Sequence, residues 1–535
     1  MAEKSRSQKT VKNIAFSLSS NLITQLLHFA VQTVFIHVLG SSYNGLDGLF
    51  SNILTMLSLA DLGIGVAMAH TYYKPLADKN EEKIHVLTSF YAKVYLVIGA
   101  VVFFAGMVLM PFLPYIIKDI NRLRDLGLNV QFIYFWYVLN SAVSYMCAAH
   151  KQTLIVADQK QYVVKRIQMY FAAITSILQI GFLLTFRGKW YSYYIYIICN
   201  IVFQIMRNLY IARTCDKMYP FIKVKTKAKM LKEDITGLVK DVYSLFLYRL
   251  CIVILNGTDN IIIAAFMTDG IKSIGSYKNY NLLIGSVNAL LMQVFESVMA
   301  SVGNLVAEIK GLGKDRTAED NDKAYVTFKA LHFANFWIFG MCSVVLWVML
   351  DPFVHFWLKK TDIIFLTPEV IFVMIANFYV YGVQTSTTAF RNAYGLFSQG
   401  RYRPVAMAII NIIVSVWLVQ DYGLLGVFMG TLVSRVTTVV WFDPYIVHKH
   451  GFKRSVIPFI KTYVLRVALL IALGFVTEKL ANLMPSDNLA WLFTRGIFAT
   501  LFVNCVLLAI YYHSNEFKFV AVRVKKLISK MVKRK

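Results

Sequence analysis

Long apolar runs separated by short polar turns dominate this chain from one end to the other. A helix that crosses the hydrocarbon of a bilayer needs roughly 20 apolar residues. Fourteen stretches have that character. Six lie near 14–37, 48–72, 89–116, 129–149, 166–186 and 190–212, and six more near 241–267, 278–306, 325–350, 364–389, 404–420 and 424–447. A final pair lies near 459–481 and 490–512. The longest polar interruption, about 213–240, is too short to bury a core of its own. The pattern therefore predicts an all-α integral membrane protein of about fourteen transmembrane helices, with no soluble domain between them.

The last stretch has a different period. Phe517, Val520, Val524, Leu527, Ile528 and Met531 recur at helical spacing, while Arg523, Lys526, Lys530 and Lys533 fall largely on the other side. Such a segment is expected to lie on an anionic inner leaflet rather than cross it.

Composition agrees with this class: 57% of the 535 residues are hydrophobic and only 16% are charged, against a soluble norm of about 25% charged. The formal net charge of +26 invites a nucleic-acid reading, and the placement of the charges argues against it. With residues flanking each span counted with their loop, 39 of the 55 Lys and Arg fall on one side, ten on the other and six within spans. That asymmetry is the positive-inside signature, and it predicts a cell-membrane protein with both termini cytoplasmic. The polar, basic start, Met1 to Lys12, lacks a cleavage site, so the first span reads as a retained helix. The six cysteines form no CxxC pair, so neither a disulfide framework nor a metal site is expected.

A short pattern occurs twice. Ala149, Lys151, Gln159 and Tyr162 match Ala389, Arg391, Gln399 and Tyr402 in spacing, 240 positions apart. Glycine-containing turns after spans 1 and 7 (Gly40–Gly45 and Gly270–Gly275) each precede a long span. These features predict two six-helix lobes, 1–213 and 241–450, in parallel pseudo-two-fold repeat. A basic linker (214–240) joins them; two extra helices (451–512) and a basic amphipathic tail (513–535) follow.

Polar residues inside spans are costly and usually face a partner or a wet lumen. Arg249 and Asp259 share one span but stand about 15 Å apart along its axis, so each needs a partner elsewhere. Asp61, Glu296, Arg207 and Arg435 are further intramembrane charges. Amides concentrate in the same helices, among them Gln25, Asn52, Asn256 and Asn281; they bond sugar hydroxyls or glue helices together. Candidate substrate contacts are thus Arg249, Asn256, Asn52, Gln25 and Asn281. Asp259, Asp61 and Glu296 are candidates for ion coupling or gating. Lys151, Arg391 and Arg401 are candidates for cytoplasmic entry, with topology anchoring as their plainer role. No catalytic set appears.

The segments Phe35–Gly48, Ser58–Gly65 (SLADLGIG), Thr258–Asn260, Phe390–Pro404 (FRNAYGLFSQGRYRP), Gly423–Thr431 (GLLGVFMGT) and Trp441–Pro444 together resemble bacterial polysaccharide flippases of the Wzx type. Those belong to the multidrug/oligosaccharidyl-lipid/polysaccharide (MOP) exporter superfamily, with the lipid II flippase and multidrug exporters. The resemblance extends through most of the chain. It implies a V-shaped pair of lobes around a cationic cavity. It implies a substrate too, an undecaprenyl-diphosphate-linked oligosaccharide repeat unit, moved to the outer leaflet for surface polysaccharide synthesis. A proton or sodium ion would drive the movement, with a polysaccharide polymerase and glycosyltransferases as neighbours and no cofactor. The roles of Arg249 and Asp259 come from the residues, not from a family site. Two rivals stand beside this reading: a multidrug or cation antiporter of the same superfamily, and a membrane polymerase or glycosyltransferase. The second needs a catalytic region outside the membrane, which these short loops do not offer.

Overall fold

The computed structural model describes residues 2–57, 64–118, 120–125, 127–223, 253, 257–311, 318–396 and 398–532. Among them every regular element is helical. The order is α1 (Ala2–Leu39), α2 (Ser41–Leu57), α3 (Ile64–Ala77), α4 (Glu81–Leu109), α5 (Leu113–Ile116), α6 (Ile120–Asp125), α7 (Val130–Ala157), α8 (Gln161–Thr185) and α9 (Ser192–Met218). Then come α10 (257–266), α11 (Gly270–Gly311), α12 (Ala318–Leu358), α13 (Pro368–Tyr394), α14 (Arg403–Tyr422), α15 (Leu424–Ile446), α16 (Ile457–Ala481), α17 (Leu489–Tyr511) and α18 (Asn515–Val532). Ten of these are long and apolar enough to cross a membrane, eleven if the bent helix α7 is one span. The other three expected spans correspond to α2–α3, α10 and α11, stretches that include residues or side chains outside the described set.

A bilayer inverts the usual rule of burial, and α4 shows it. Val97, Val101, Phe104 and Val108 are between 51% and 68% exposed, while Tyr91, Tyr95, Ile98 and Val102 on the other face are buried. An apolar stripe of that length is at home only in lipid. Since lipid is as apolar as leucine, helices must associate through close packing and hydrogen bonds. Glycine allows the approach. A methyl group at Gly99 would come within 2.6 Å of Met146 and one at Gly106 within 2.7 Å of Val138, which locks α4 against α7 antiparallel. Gly430 brings α15 onto Ser415 of α14 in the same way, 2.0 Å from its hydroxyl.

The chain divides into two compact units. Unit 1 holds residues 1–278 with Lys360–Ile364; unit 2 holds 279–359 and 365–535. In unit 2 the helices α16 and α17 pack along α12. Leu470 of α16 fills the notch at Gly340, and Trp347 fills the one at Gly474. Arg466 is buried in this packing, its guanidinium 5.2, 5.1 and 5.9 Å from the rings of Phe333, Phe336 and Tyr511. Flat guanidinium on aromatic faces is a workable way to hold a cation in hydrocarbon.

The tightest contact in unit 1 joins α2 to the start of α11. A Cβ at Gly45 would fall 1.8 Å from the Ile271 carbonyl oxygen, and one at Gly275 would fall 1.8 Å from the Ser41 carbonyl oxygen. Backbone meets backbone there. Asn44 donates its amide to the Gly275 carbonyl (2.7 Å), and Asn260 of α10 donates to the Gly48 carbonyl (3.1 Å). Asp362 caps the start of α2, its carboxylate accepting from the Ser41 amide and hydroxyl at 2.8 Å each. Ala in place of Gly45 or Gly275 is expected to destabilise the protein by at least about 1–3 kcal/mol, the usual overpacking cost. Gly285→Ala on the same helix, where nothing described lies within 4 Å of the added methyl, serves as the control. Melting of the three purified variants in detergent measures it.

Candidate functional site

The α2–α11 seam sets a pair of opposite charges side by side. Asp47 is two residues beyond Gly45 and Lys278 three beyond Gly275, so the backbone contact delivers both side chains to one place. The Lys278 ammonium pairs with one carboxylate oxygen of Asp47, and the Tyr137 hydroxyl of α7 donates to the other. Tyr137 in turn lies 3.3 Å from the Tyr193 hydroxyl of α9. Edge-on rings close the site: Tyr43 and Phe35 on Tyr193, Phe50 on Tyr137. Asp47 and Lys278 retain side-chain exposures of 23% and 29%. The pair is therefore compensated but still reachable. Such a part-exposed pair offers an ammonium to an anionic ligand and a carboxylate to a cationic one.

At the opposite ends of α7 and α9, Lys151 meets Asp216 at 2.7 Å. Beside them the Tyr219 hydroxyl donates to Asp158 at 2.6 Å, with Lys160 paired to the same carboxylate and 5.2 Å from the Tyr219 ring. Burial, and then the bond to Asp158, push the Tyr219 hydroxyl well above the ordinary tyrosine range. Unit 2 repeats the theme with deeper burial. Arg391 near the end of α13 faces Asp443 of α15 at 3.6 Å, and Arg403 of α14 binds the other oxygen. Asp443 is 1% exposed and Arg391 4%. In each unit the pattern's basic residue meets an acid two helices onward, Lys151 of α7 with Asp216 of α9 and Arg391 of α13 with Asp443 of α15. Its surroundings differ. After α7 the chain turns in three residues with Gln159 at φ +57°, whereas after α13 it turns through Gly395 at φ +68° and a 3-10 turn that holds Gln399.

Of the other candidates, Asn52 lies against α10, its carbonyl 3.6 Å from where a Cβ on Gly257 would fall. Gln25 and Asn52 are half-buried on α1 and α2, and Asn281 is exposed on α11 in unit 2. Asp259 is half-buried on α10, electrostatically coupled to Tyr277. Arg401 is exposed, its guanidinium 4.6 Å from the Tyr402 ring. Arg435 donates to the Asn377 carbonyl at 3.0 Å and is spoken for within unit 2. Asp61, Arg249 and Asn256 lie outside the described residues, as does 224–240 of the linker; Glu296 lies on α11, its side chain outside them. Asp47, Lys278, Asp443 and Arg403 were not singled out by sequence reasoning. Asp47 and Lys278 sit at the edges of polar turns, where a charge looks solvated. Their signal was the nearness of each to a glycine in a turn, Asp47 two residues after Gly45 and Lys278 three after Gly275. No group of three or more His, Cys, Asp or Glu suited to a metal occurs among the described residues.

Unit 2 also holds an apolar cavity of about 430 Å³ between α12 and α17, lined by Val345, Met349, Phe353, Leu492, Gly496 and Thr500 among others. Its walls offer almost nothing to a polar guest.

These features define a multi-pass, all-helical membrane protein, and solved structures share its fold. A lipid II flippase, MurJ, in an inward closed conformation superposes with a TM-score of 0.65 at 13% identity, over 93% of this chain and 99% of that one. An inward-facing multidrug resistance MATE family transporter of the MOP superfamily gives 0.57 at 12% identity, over 82% and 99%. A mutant of the Vibrio cholerae MATE transporter VcmN gives 0.51 at 13%, over 83% and 99%. No protein-family model matches the chain, and no curated protein matches it in sequence.

The depth of the two inter-helix ties separates their energetics. Asp443→Asn leaves two buried guanidinium groups without a counter-charge and is expected to cost about 3–5 kcal/mol. Asp216→Asn breaks a part-exposed pair and is expected to cost about 1 kcal/mol or less. Thermal melting of both variants in detergent, compared with the parent, checks the order.

Proposed function

We propose that this protein flips an undecaprenyl-diphosphate-linked oligosaccharide repeat unit from the inner to the outer leaflet, for capsule, exopolysaccharide or O-antigen synthesis. The observation that carries the reading is the part-exposed Asp47–Lys278 pair with its tyrosines. Diphosphate needs cations, and Lys278 is a cation held in place by a carboxylate that can be displaced. When a diphosphate takes Lys278, Asp47 keeps the Tyr137 hydroxyl but loses its counter-charge, and its attraction for a cation rises. Substrate and ion then favour each other's binding, which is reciprocal coupling.

The charge asymmetry supports cytoplasmic termini, and in that orientation this pair sits toward the outer ends of α2 and α11. It is then the exit-side contact. Arg249 remains the proposed phosphate contact deeper in the path, with Asn256, Asn52, Gln25 and Asn281 for sugar hydroxyls and Asp259, Asp61 and Glu296 as further coupling groups. Of the entry cations, Arg401 is the open one, while Lys151 and Arg391 already hold carboxylates. The apolar cavity between α12 and α17 suits a hydrocarbon chain. The tie Arg391–Asp443 falls within the proposed lobe 241–450, and Lys151–Asp216 joins the proposed lobe 1–213 to the start of the linker; on this reading the two lobes work by alternating access. A polymerase and glycosyltransferases would supply and use the repeat unit.

A second reading, a multidrug or cation antiporter, draws on the same pair with the roles exchanged: an organic cation takes Asp47 and frees Lys278. The fold shared with MATE transporters favours keeping it. Purified protein in vesicles decides between them. We expect uptake-independent flipping of a lipid-linked oligosaccharide, with Lys278→Gln and Arg249→Ala each reducing the rate about tenfold or more, the loss of one charge contact worth roughly 1.4 kcal/mol. Transport of organic cations without flipping would establish the antiporter instead.

A further inference from the structure

The helix α18 begins four residues after α17 ends, and α17 is long and apolar enough to cross the membrane. Helix α18 therefore starts at a bilayer surface. Its sequence carries an apolar stripe (Phe517, Val520, Val524, Leu527, Ile528, Met531) and five cations, Lys518, Arg523, Lys525, Lys526 and Lys530, against one acid, Glu516. At 100° per residue the cations occupy the arc opposite the stripe, with Lys525 and Arg523 at its two margins.

The one acid is already used. Glu516 faces Lys329 of α12 at 3.6 Å. Next to it Phe517 stacks on Trp337, two helical turns further along α12, with ring centroids 5.6 Å apart and planes 27° from parallel. Trp337 is itself fixed by its Nε1–H bond to Asn504 of α17 at 2.8 Å, and the Phe517 amide is capped by Ser514 at 3.2 Å. The first turn of α18 is thus pinned to two spanning helices. Its orientation is set by the fold, not by the lipid alone. Lys518, Arg523 and Lys525 are left exposed.

We propose that α18 is a binding site for anionic phospholipid headgroups, held in register by the Phe517–Trp337 stack and the Glu516–Lys329 pair. The lipid fits better than an acidic protein partner because the helix starts at the bilayer and its apolar stripe needs hydrocarbon to cover it. Clustered Lys and Arg beside a span gain strongly from an anionic leaflet, and salt screens the gain. The site rests on the membrane orientation given above but not on the identity of any transported substrate.

The test is amide hydrogen exchange of α18 in the full-length protein. It is reconstituted in vesicles of phosphatidylcholine alone or with an equal part of phosphatidylglycerol, at low and high salt. We expect exchange beyond the first turn to slow by about tenfold or more in the anionic vesicles. The slowing should disappear at high salt and in the quadruple variant Lys518→Glu, Arg523→Glu, Lys525→Glu, Lys526→Glu. Phe517→Ala should release the first turn in both lipids. Slow exchange that ignores lipid charge and salt would overturn the headgroup site in favour of plain hydrophobic anchoring. Fast exchange in both lipids would overturn membrane docking altogether and point to a protein partner. Neither outcome bears on flipping, which is measured separately.

Discussion

Where Gly45 meets Ile271 and Gly275 meets Ser41, two helix backbones touch with no side chain between them, and much of unit 1 follows from that contact. Close approach turns the Asn44 amide onto a backbone carbonyl and brings α10 within reach through Asn260. It also sets Asp47 beside Lys278. Packed between helices and only part-exposed, each charge is compensated by the other. The glycines and the ion pair are one device. A residue larger than glycine at the crossing would separate the charges as well as the helices.

The same logic, spent differently, appears at the other helix ends. Arg391 and Arg403 share one fully buried Asp443, a triad that can stabilise only while intact. Lys151 and Asp216 make a looser pair, and Asp47 with Lys278 sits nearer to it in exposure. Burial grades these pairs from enclosed to part-exposed. The proposed transport role would use both kinds: fixed ties that make helices move as bodies, and labile ones whose partners change with the bound ligand. Arg466 is a third solution, a cation laid among aromatic faces where the accessory helices α16 and α17 meet α12.

The sequence made the architecture readable because hydrocarbon imposes one rule on every span. Run length located the helices, and a resemblance to flippases agreed with the fold shared by MurJ and MATE structures. Pairings were harder. The repeated Lys151 and Arg391 were recognised as equivalent, yet their acidic partners lie 65 and 52 residues onward, at spacings the repeat does not preserve. Asp443 stood inside a quoted segment and passed unnoticed, since nothing in one dimension says which helix faces which. Asp47 and Lys278 were hidden by position at the edges of turns, 231 residues apart. Among the candidates named at the outset, Lys151 and Arg391 gained definite partners within their units, while Arg401 stayed open.

The central claim is that Asp47 and Lys278 compensate one another inside unit 1. A double-mutant cycle on Asp47→Asn and Lys278→Gln, read as melting temperature in detergent, tests it most directly. If the pair is compensated, each single change leaves a lone charge, and the double variant, with none, melts above either single one. A double variant that melts lower than both, by the sum of their separate losses, would show that the two side chains act independently and would contradict the account.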